Sequence, residues 1–341
     1  MASSEALANG LGSKKKASWL EGQLGTDNYR RLRELATNPM SVAGMVLLGI
    51  FLFVAVAAPV LAPPPRPDSP FTIPRDGYGS VPLPPGAAWE KRQPPIPFWW
   101  KPLTGKDNWI HLMGTASGQW DIYYGVIWGT RTALRVGLVI TAIAGLIGIT
   151  LGTLSAYYGG VVDMLIMRVA DIFIAFPGLV ATMTLSAVLT PVLGKGIFAP
   201  MLSLTVFGWT GFARLLRSDV LSVRQREYVL AAKTVGVRDP RIMLRHVLPN
   251  AIFPTLVLAS MRTGSYVITF SSLSFLGIGA EVGYADWGQL LSFARDWMTQ
   301  LGEYWYIVVF PGVTLVLFVL SWNLVGDALR DVLDPRVQGS T

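Results

Sequence analysis

The sequence contains no cysteine, which excludes disulfide bonds, thiol nucleophiles and cysteine-ligated metals. Histidine is nearly as scarce: His111 and His246 are the only two, and they are far apart in the chain, so a shared metal site is implausible. Charge is also short. Asp, Glu, Lys and Arg make up 14% of the 341 residues, against about 25% in an ordinary soluble domain. No G-x-x-x-x-G-K-[ST] loop occurs; Gly105-Lys106-Asp107 and Gly194-Lys195-Gly196 lack both the hydroxyl residue and the spacing that cradle a nucleotide phosphate. There is no H-E-x-x-H and no plausible nucleophile triad. Energy for any active process must therefore come from another chain.

What the sequence has in abundance is apolar surface. Hydrophobic residues make up 52% of the chain, and the mean hydropathy is +0.46. Apolar surface on that scale needs lipid. The net charge of +7 would suit nucleic acid, but no basic patch is interleaved with base-stacking aromatics. The positive charges instead sit between apolar runs, where membrane topology places them.

Residues 1–40 are polar and basic, with Lys14, Lys15, Lys16, Arg30, Arg31 and Arg33, and read as a cytoplasmic tail. The first apolar run begins near residue 41, too far in for a cleaved signal peptide, and reads as a retained anchor. Asn38-Pro39 predicts a capped helix start, with proline in the first turn where its missing N–H costs nothing. Val42 to Leu61 is uncharged and, at about 20 residues, can cross a hydrocarbon core of roughly 30 Å. Pro59 and Pro63-Pro64-Pro65 end it. The Pro-rich and Trp-rich stretch 63–110, with Trp89, Trp99 and Trp100, predicts an extended extramembrane loop with interfacial anchors. His111–Trp128 predicts an amphipathic segment at the membrane surface.

Further spans are expected over Val136–Val162, Ile172–Gly194 (starting near Met164), Gly196–Ala213 and Tyr304–Gly326. One more is expected over about Pro249–Thr269, within a long stretch that carries the single charge Arg262. The fold class is an all-α integral membrane protein with six transmembrane helices. Its organisation is a cytoplasmic tail (1–40), a first helix acting as an arm (41–62), an extracytoplasmic loop and amphipathic segment (63–130), a five-helix core (131–328) with a coupling loop at 214–250, and a cytoplasmic tail (329–341). Odd–even threading puts 1–40, 158–163, 214–248 and 327–341 on one side, together with Arg214, Arg217, Arg224, Arg226, Lys233, Arg238, Arg241, Arg245, Arg330 and Arg336. The positive-inside rule makes that side, and both termini, cytoplasmic.

Glu227–Asn250, EYVLAAKTVGVRDPRIMLRHVLPN, is the most informative stretch. Tyr228, Ala231, Ala232 and Val235 fall at i, i+3, i+4 and i+7, giving a short helix with a small apolar face. Gly236 is placed to stop it as a left-handed cap. Asp239-Pro240 predicts an N-cap and first-turn proline for a second short helix, and Pro249-Asn250 marks re-entry into the membrane. Two readings follow from the spacing: a docking knob for a partner surface, with basic residues to pair with its acidic groups, or a positively charged loop that only sets topology.

This stretch resembles the cytoplasmic EAA loop of binding-protein-dependent ABC importer permeases. The resemblance lies in Ala231-Ala232, Gly236 and Leu248-Pro249. Leu230 stands where the general pattern has Glu, and His246 where it has Ile. Both match the variant E-Y-V-x-A-A…R-H-V-L-P-N of the dipeptide/oligopeptide/nickel branch, with Glu227, Arg245 and Asn250 in register. Residues 35–64, the SSLSFLGIG of 271–279, and FPG…WNLVGDALRDVLDPR within 305–336 are similar to the "C" type permease of that branch. The branch's G-T-D-x-x-G-R-D appears here as Gly114-Thr115-Ala116-Ser117-Gly118-Gln119-Trp120-Asp121, without the first Asp and the Arg. The 66–110 insertion has no evident counterpart.

The resemblance implies a type I ABC importer transmembrane fold in a bacterial or archaeal plasma membrane. It implies partnership with a homologous second permease, two P-loop ATPase subunits that bind ATP and Mg²⁺, and an extracytoplasmic substrate-binding protein, with no cofactor of the chain's own and no enzymatic role. The coupling residues would be Glu227, Tyr228, Ala231, Ala232, Gly236, Arg245 and Pro249, and the cargo a peptide, with nickel or another small solute as the alternative.

Arg262 is read either as lining the substrate path or as a structural pair with another subunit, because an ionisable group inside a span must face a cavity or a partner. Gly148 with Gly152, and Gly125 with Gly129, predict close helix packing. Arg168 and Asp171 are expected at the cytoplasmic interface. Pro177, Gly178 and Pro254 are expected kinks, and Phe275–Gly279 is either a re-entrant element or a tight turn. The insertion could be a lid or a docking surface for the binding protein. A membrane-embedded enzyme would need convergent polar groups in the spans, and an ion-driven transporter would need internal repeats and mid-membrane acids; none of these is evident.

Overall fold

The computed structural model describes residues 37–333. The N-terminal basic cluster from Lys14 to Arg33, and Arg336 in the C-terminal tail, lie outside the described residues. Helix α1 is Pro39–Leu61, and the Asn38 side chain accepts from the Met40 N–H at 3.0 Å. It lies along the last helix, α12 (Tyr306–Leu333), where Phe51 meets Phe318 edge-on at 5.2 Å. A Cβ on Gly44 would come within 2.6 Å of Leu324, so the two backbones are close. Val46, Phe53 and Val56 point outward.

The stretch after α1 does not run as an extended loop. It folds into a cap containing a five-residue helix, α2 (Trp100–Thr104), ended by Gly105 at φ +68°. A two-residue hairpin follows, β1 (Thr115–Ala116) with β2 (Trp120–Asp121). Trp89, Trp100 and Trp109 are buried in this cap rather than anchored at an interface: Trp100 packs on Trp109 at 4.7 Å and Trp89 on the His111 ring at 4.0 Å. Other aromatic groups seal the end of α1. Trp99 donates to the Val60 carbonyl (3.2 Å), Tyr123 to Leu61 (3.0 Å) and Trp128 to Ala62 (2.9 Å), satisfying carbonyls that a helix end leaves without partners.

Helix α3, Ile122–Tyr158, has 37 residues and is about 55 Å long at 1.5 Å per residue. It starts inside the segment expected to lie along the membrane surface. Asp121 caps it, accepting from the Tyr124 N–H at 2.8 Å, and its first turns are buried against the cap and α10 (Trp287–Ser292). Gly159, at φ +68°, ends it. The next apolar stretch is two helices, α4 (Gly160–Ala175) and α5 (Gly178–Leu193), bent by 90° at Phe176-Pro177. Then come α6 (Phe198–Arg224), α7 (Glu227–Thr234) and α8 (Asp239–Ala251), with a π-helical turn at Met243–Val247. A 59° bend leads into α9 (Phe253–Phe275). After α9, Ile278 N–H bonds Leu273 O at 2.9 Å and Gly277 sits at φ +84°, so Phe275–Gly279 is a tight helix-ending turn. The four-residue α11 (Leu301–Tyr304) precedes α12.

By length and apolarity α1, α3 and α12 can each cross a membrane, and the count reaches five if the α4–α5 and α8–α9 pairs each form one span. The six expected from the sequence are not all met on that measure. The shortfall falls on α6, whose second half carries Arg214, Arg217, Asp219 and Arg224. The centre of the bundle is α3 against α6. A Cβ on Gly148 would lie 2.6 Å from the Trp209 carbonyl, and one on Gly152 2.5 Å from that of Ala213, so small residues permit backbone contact. Gly125 and Gly129 serve the other end of α3, against Leu290 and Trp287 of α10.

Candidate functional site

Helix α7 stands between α6 and α8 as the sequence predicts, and Gly236 ends it at φ +81° with Val237 N–H bonded to Ala232 O at 3.1 Å. The apolar face of Tyr228, Ala231, Ala232 and Val235 is divided by the packing. Val229 is fully buried, and Ala232 is half-buried beside it, against Leu216, Val220, Val223, Ile242 and Val247. Tyr228, Leu230, Ala231 and Val235 are exposed, Val235 at 82%. Glu227, Gly236, Arg245 and Pro249 are exposed as well. The underside of α7 is thus an anchor and its top an exposed apolar surface edged by Glu227 and Lys233.

Several groups not singled out in the sequence make the base rigid. Arg224 donates to the carbonyls of Ala156 (2.8 Å) and Tyr157 (2.7 Å) at the end of α3, where a cation also meets the negative end of the helix dipole. The Tyr157 hydroxyl donates to Asp239 at 2.6 Å, and Lys233 lies over the Tyr157 ring at 5.2 Å. Asp239 therefore does not cap α8; Arg238 occupies the cap position, one residue earlier than expected. Asp163 of α4 receives a two-pronged pair from Arg217, both contacts 2.6 Å, and Arg214 pairs with Asp171. Arg168 is exposed. These contacts join α3, α4, α6, α7 and α8 into one platform. The i, i+3 spacing of Val229 and Ala232 was the available signal for the anchor; the ion pairs join residues too distant in sequence to show a pattern.

Arg262 is not part of this platform. It lies on α9 and lines a cleft of about 550 Å³ walled by α4, α5, α6 and α9, with Thr182, Gly208, Gly211 and Tyr266 among its lining residues. The bend at Pro177 opens this cleft by turning α5 away from α4.

The cap holds a second polar cluster. His111 is fully buried, with Nδ1 2.7 Å from Asp121 and Nε2 3.6 Å from Asp76, and its ring lies 4.0 Å from that of Trp89. Asp76 accepts from the backbone N–H groups of Glu90 (2.8 Å), Lys91 (2.7 Å) and Arg92 (3.2 Å). Burial acts to raise its pKa, but those bonds and His111 outweigh it and hold the carboxyl below its ordinary value. Asp121 is shifted the other way. Burial pushes it up against the pull of His111 and of the Tyr124 and Tyr123 N–H groups. The cluster locks the cap onto the α3 N-terminus. Among the described residues no group of three or more His, Cys, Asp or Glu is arranged to hold a metal ion.

The described residues form a bundle with several helices long and apolar enough to cross a membrane, and between α6 and α8 it presents a short, braced and exposed helix. The chain belongs to the family of binding-protein-dependent transport system inner membrane components, whose model matches residues 148–339. The N-terminal transmembrane domain of oligopeptide transport permease C matches residues 29–85. The chain is 31% identical over 307 residues to the dipeptide transport system permease protein DppC of Alkalihalophilus pseudofirmus, covering 90% of this chain and 89% of that one. It is 37% identical over 228 residues to the glutathione transport system permease protein GsiD of Pectobacterium atrosepticum, covering 67% and 73%. It is 38% identical over 229 residues to the probable D,D-dipeptide transport system permease protein DdpC of Escherichia coli, covering 67% and 74%. In fold it is similar to a chain of the MetNI methionine ABC transporter in an inward-facing conformation, with TM-score 0.51 and 18% identity over 62% of this chain and 97% of that one. The chain is a non-catalytic, multi-pass permease subunit.

Proposed function

We propose that this chain is one of two homologous permease subunits of an ATP-driven importer of di- or oligopeptides. The observation that carries the reading is α7: a short helix, anchored below by Val229 and braced by Arg224 and Tyr157, with Tyr228, Ala231 and Val235 exposed above. An ATPase subunit seated on that face moves the platform as a unit, because α7 is tied to α3, α4, α6 and α8. Glu227 and Lys233 pair with charges on the ATPase, Ala231 and Ala232 allow close approach, Gly236 ends the helix, and Arg245 and Pro249 set the return into the bundle.

In this reading α6 is the sixth span, both termini and α7 are cytoplasmic, and the cap is extracytoplasmic, facing a substrate-binding protein. The second permease completes a central path against the cleft that holds Arg262. Two ATPase subunits supply ATP and Mg²⁺ binding. Relatives named for dipeptides, D,D-dipeptides and glutathione favour a peptide over nickel or another small solute.

Purification of the tagged chain from its native membrane tests this. The expected result is co-isolation with a second permease and P-loop ATPases. A stable, folded chain that comes away alone at every detergent strength would overturn it.

A further inference from the structure

The cleft between α5, α6 and α9 contains one ionised group that nothing described compensates. Arg262 lies near the middle of α9 and is an exposed residue. No Asp or Glu lines the cleft. A mid-span charge without a partner is costly and is kept for a reason.

The surroundings specify what that partner must be. Every other side-chain donor in the cleft is committed to a carbonyl. Thr182 bonds Gly178 (2.9 Å), Thr210 bonds Phe207 (3.2 Å), and Tyr266 bonds Gly208 (3.1 Å). Ser265, Thr269 and Ser272 each bond the carbonyl four residues back at 3.2, 3.0 and 2.9 Å. The guanidinium therefore carries the only uncommitted side-chain donors, arranged as a planar fork. The facing wall of α6 is kept clear: a Cβ on Gly211 would stand 3.3 Å from Arg262 Nη2. The first turn of α5, at Gly178 and Leu179, opens onto the same space and adds the positive end of a helix dipole. The occupant that fits is an anion accepting two parallel hydrogen bonds, as a carboxylate does.

We infer that Arg262 is a transit site for the free carboxylate of the transported peptide, engaged as the cargo passes through the permease. The inference rests on the peptide-permease reading above. It gives this chain a part in cargo selection, separate from whatever the binding protein selects.

The test uses the complete transporter, with both permeases, ATPases and binding protein, reconstituted in vesicles. Maximal uptake is measured for a dipeptide and for the same dipeptide as its C-terminal amide, both at concentrations that saturate the binding protein in a direct binding assay. In the wild-type complex the amide should move at least about tenfold more slowly than the acid. Arg262→Gln should slow the acid by a similar factor and close the gap. Arg262→Lys, which keeps the charge but not the fork, should fall between. Equal wild-type rates for acid and amide would overturn the inference, and that comparison needs no variant to fold. Arg262→Gln with unchanged uptake of the acid would overturn it too, as would loss of assembly in Arg262→Gln accompanied by equal wild-type rates, which would identify a structural pair with the second permease. No uptake of any peptide by an intact, ATP-hydrolysing complex would count against the peptide reading itself.

Discussion

Val229→Ala probes how α7 is held without touching the exposed face proposed to meet an ATPase. Val229 has 0% exposure and sits among Tyr157, Leu216, Val220, Val223, Ile242 and Val247. The substitution removes two methyl groups, at about 0.8 kcal/mol each for lost burial, and the small cavity left behind adds a few tenths or more. The sum is about 2 kcal/mol. At about 1.4 kcal/mol per tenfold, the balance between docked and detached α7 shifts roughly thirtyfold toward detachment. Amide hydrogen exchange on the reconstituted transporter, without nucleotide, reads that opening directly. Exchange across Glu227–Thr234 should quicken by about that factor, and peptide taken up per ATP hydrolysed should fall. Val235→Ala is the contrast, because Val235 is 82% exposed. It should leave exchange unchanged while weakening coupling through loss of the contact face. Unchanged exchange in Val229→Ala, or equal acceleration in Val235→Ala, would refute the division of α7 into an anchor and a docking face.

Gly152→Val forces a side chain onto the Ala213 backbone, whose carbonyl would already stand 2.5 Å from a Cβ. Overpacking of this kind costs about 1–3 kcal/mol, so the purified complex should show a lower unfolding temperature, whereas Gly145→Ala, where a Cβ meets nothing within 4 Å, should not. Asp286 caps α10, accepting from the Gln289 N–H at 3.1 Å, and burial raises its pKa from 3.8 to about 6. The folded state then binds this proton more tightly than the unfolded state, so stability from this group is present below about pH 4 and is lost as pH rises through about 6. Thermal unfolding from pH 4 to 7 should show the wild type losing stability relative to Asp286→Asn across that window. Parallel profiles would refute the assignment.

The parts of the architecture legible in the residues are those set by neighbours in the chain. Asn38-Pro39 starts α1, Gly236 ends α7 and Pro177 breaks the α4–α5 pair, because capping, left-handed backbone and the missing proline N–H act within a few residues. The Trp-rich stretch was less legible. Its composition fits an interfacial loop, and only ring-on-ring packing among Trp99, Trp100 and Trp109 turns it into a folded cap. The start of α3 was hidden for a similar reason, since Ile122 to Trp128 read as surface-lying until the cap and α10 cover them.

By itself the sequence determined that the chain is built for a membrane, that it carries no phosphate-cradling P-loop, and that a short helix lies over Glu227–Thr234. Scarce charge, absent phosphate loops and helical spacing are properties of the chain before it folds. The tertiary structure decided which side of α7 is anchored. The choice turns on Leu216, Val220, Ile242 and Val247, which arrive from α6 and α8. It also decided that no acidic side chain among the described residues lines the cleft around Arg262, and that Asp163 and Asp171 of α4 pair with Arg217 and Arg214. Charge pairing and burial depend on distances across the bundle, and those distances exist only once the helices have packed.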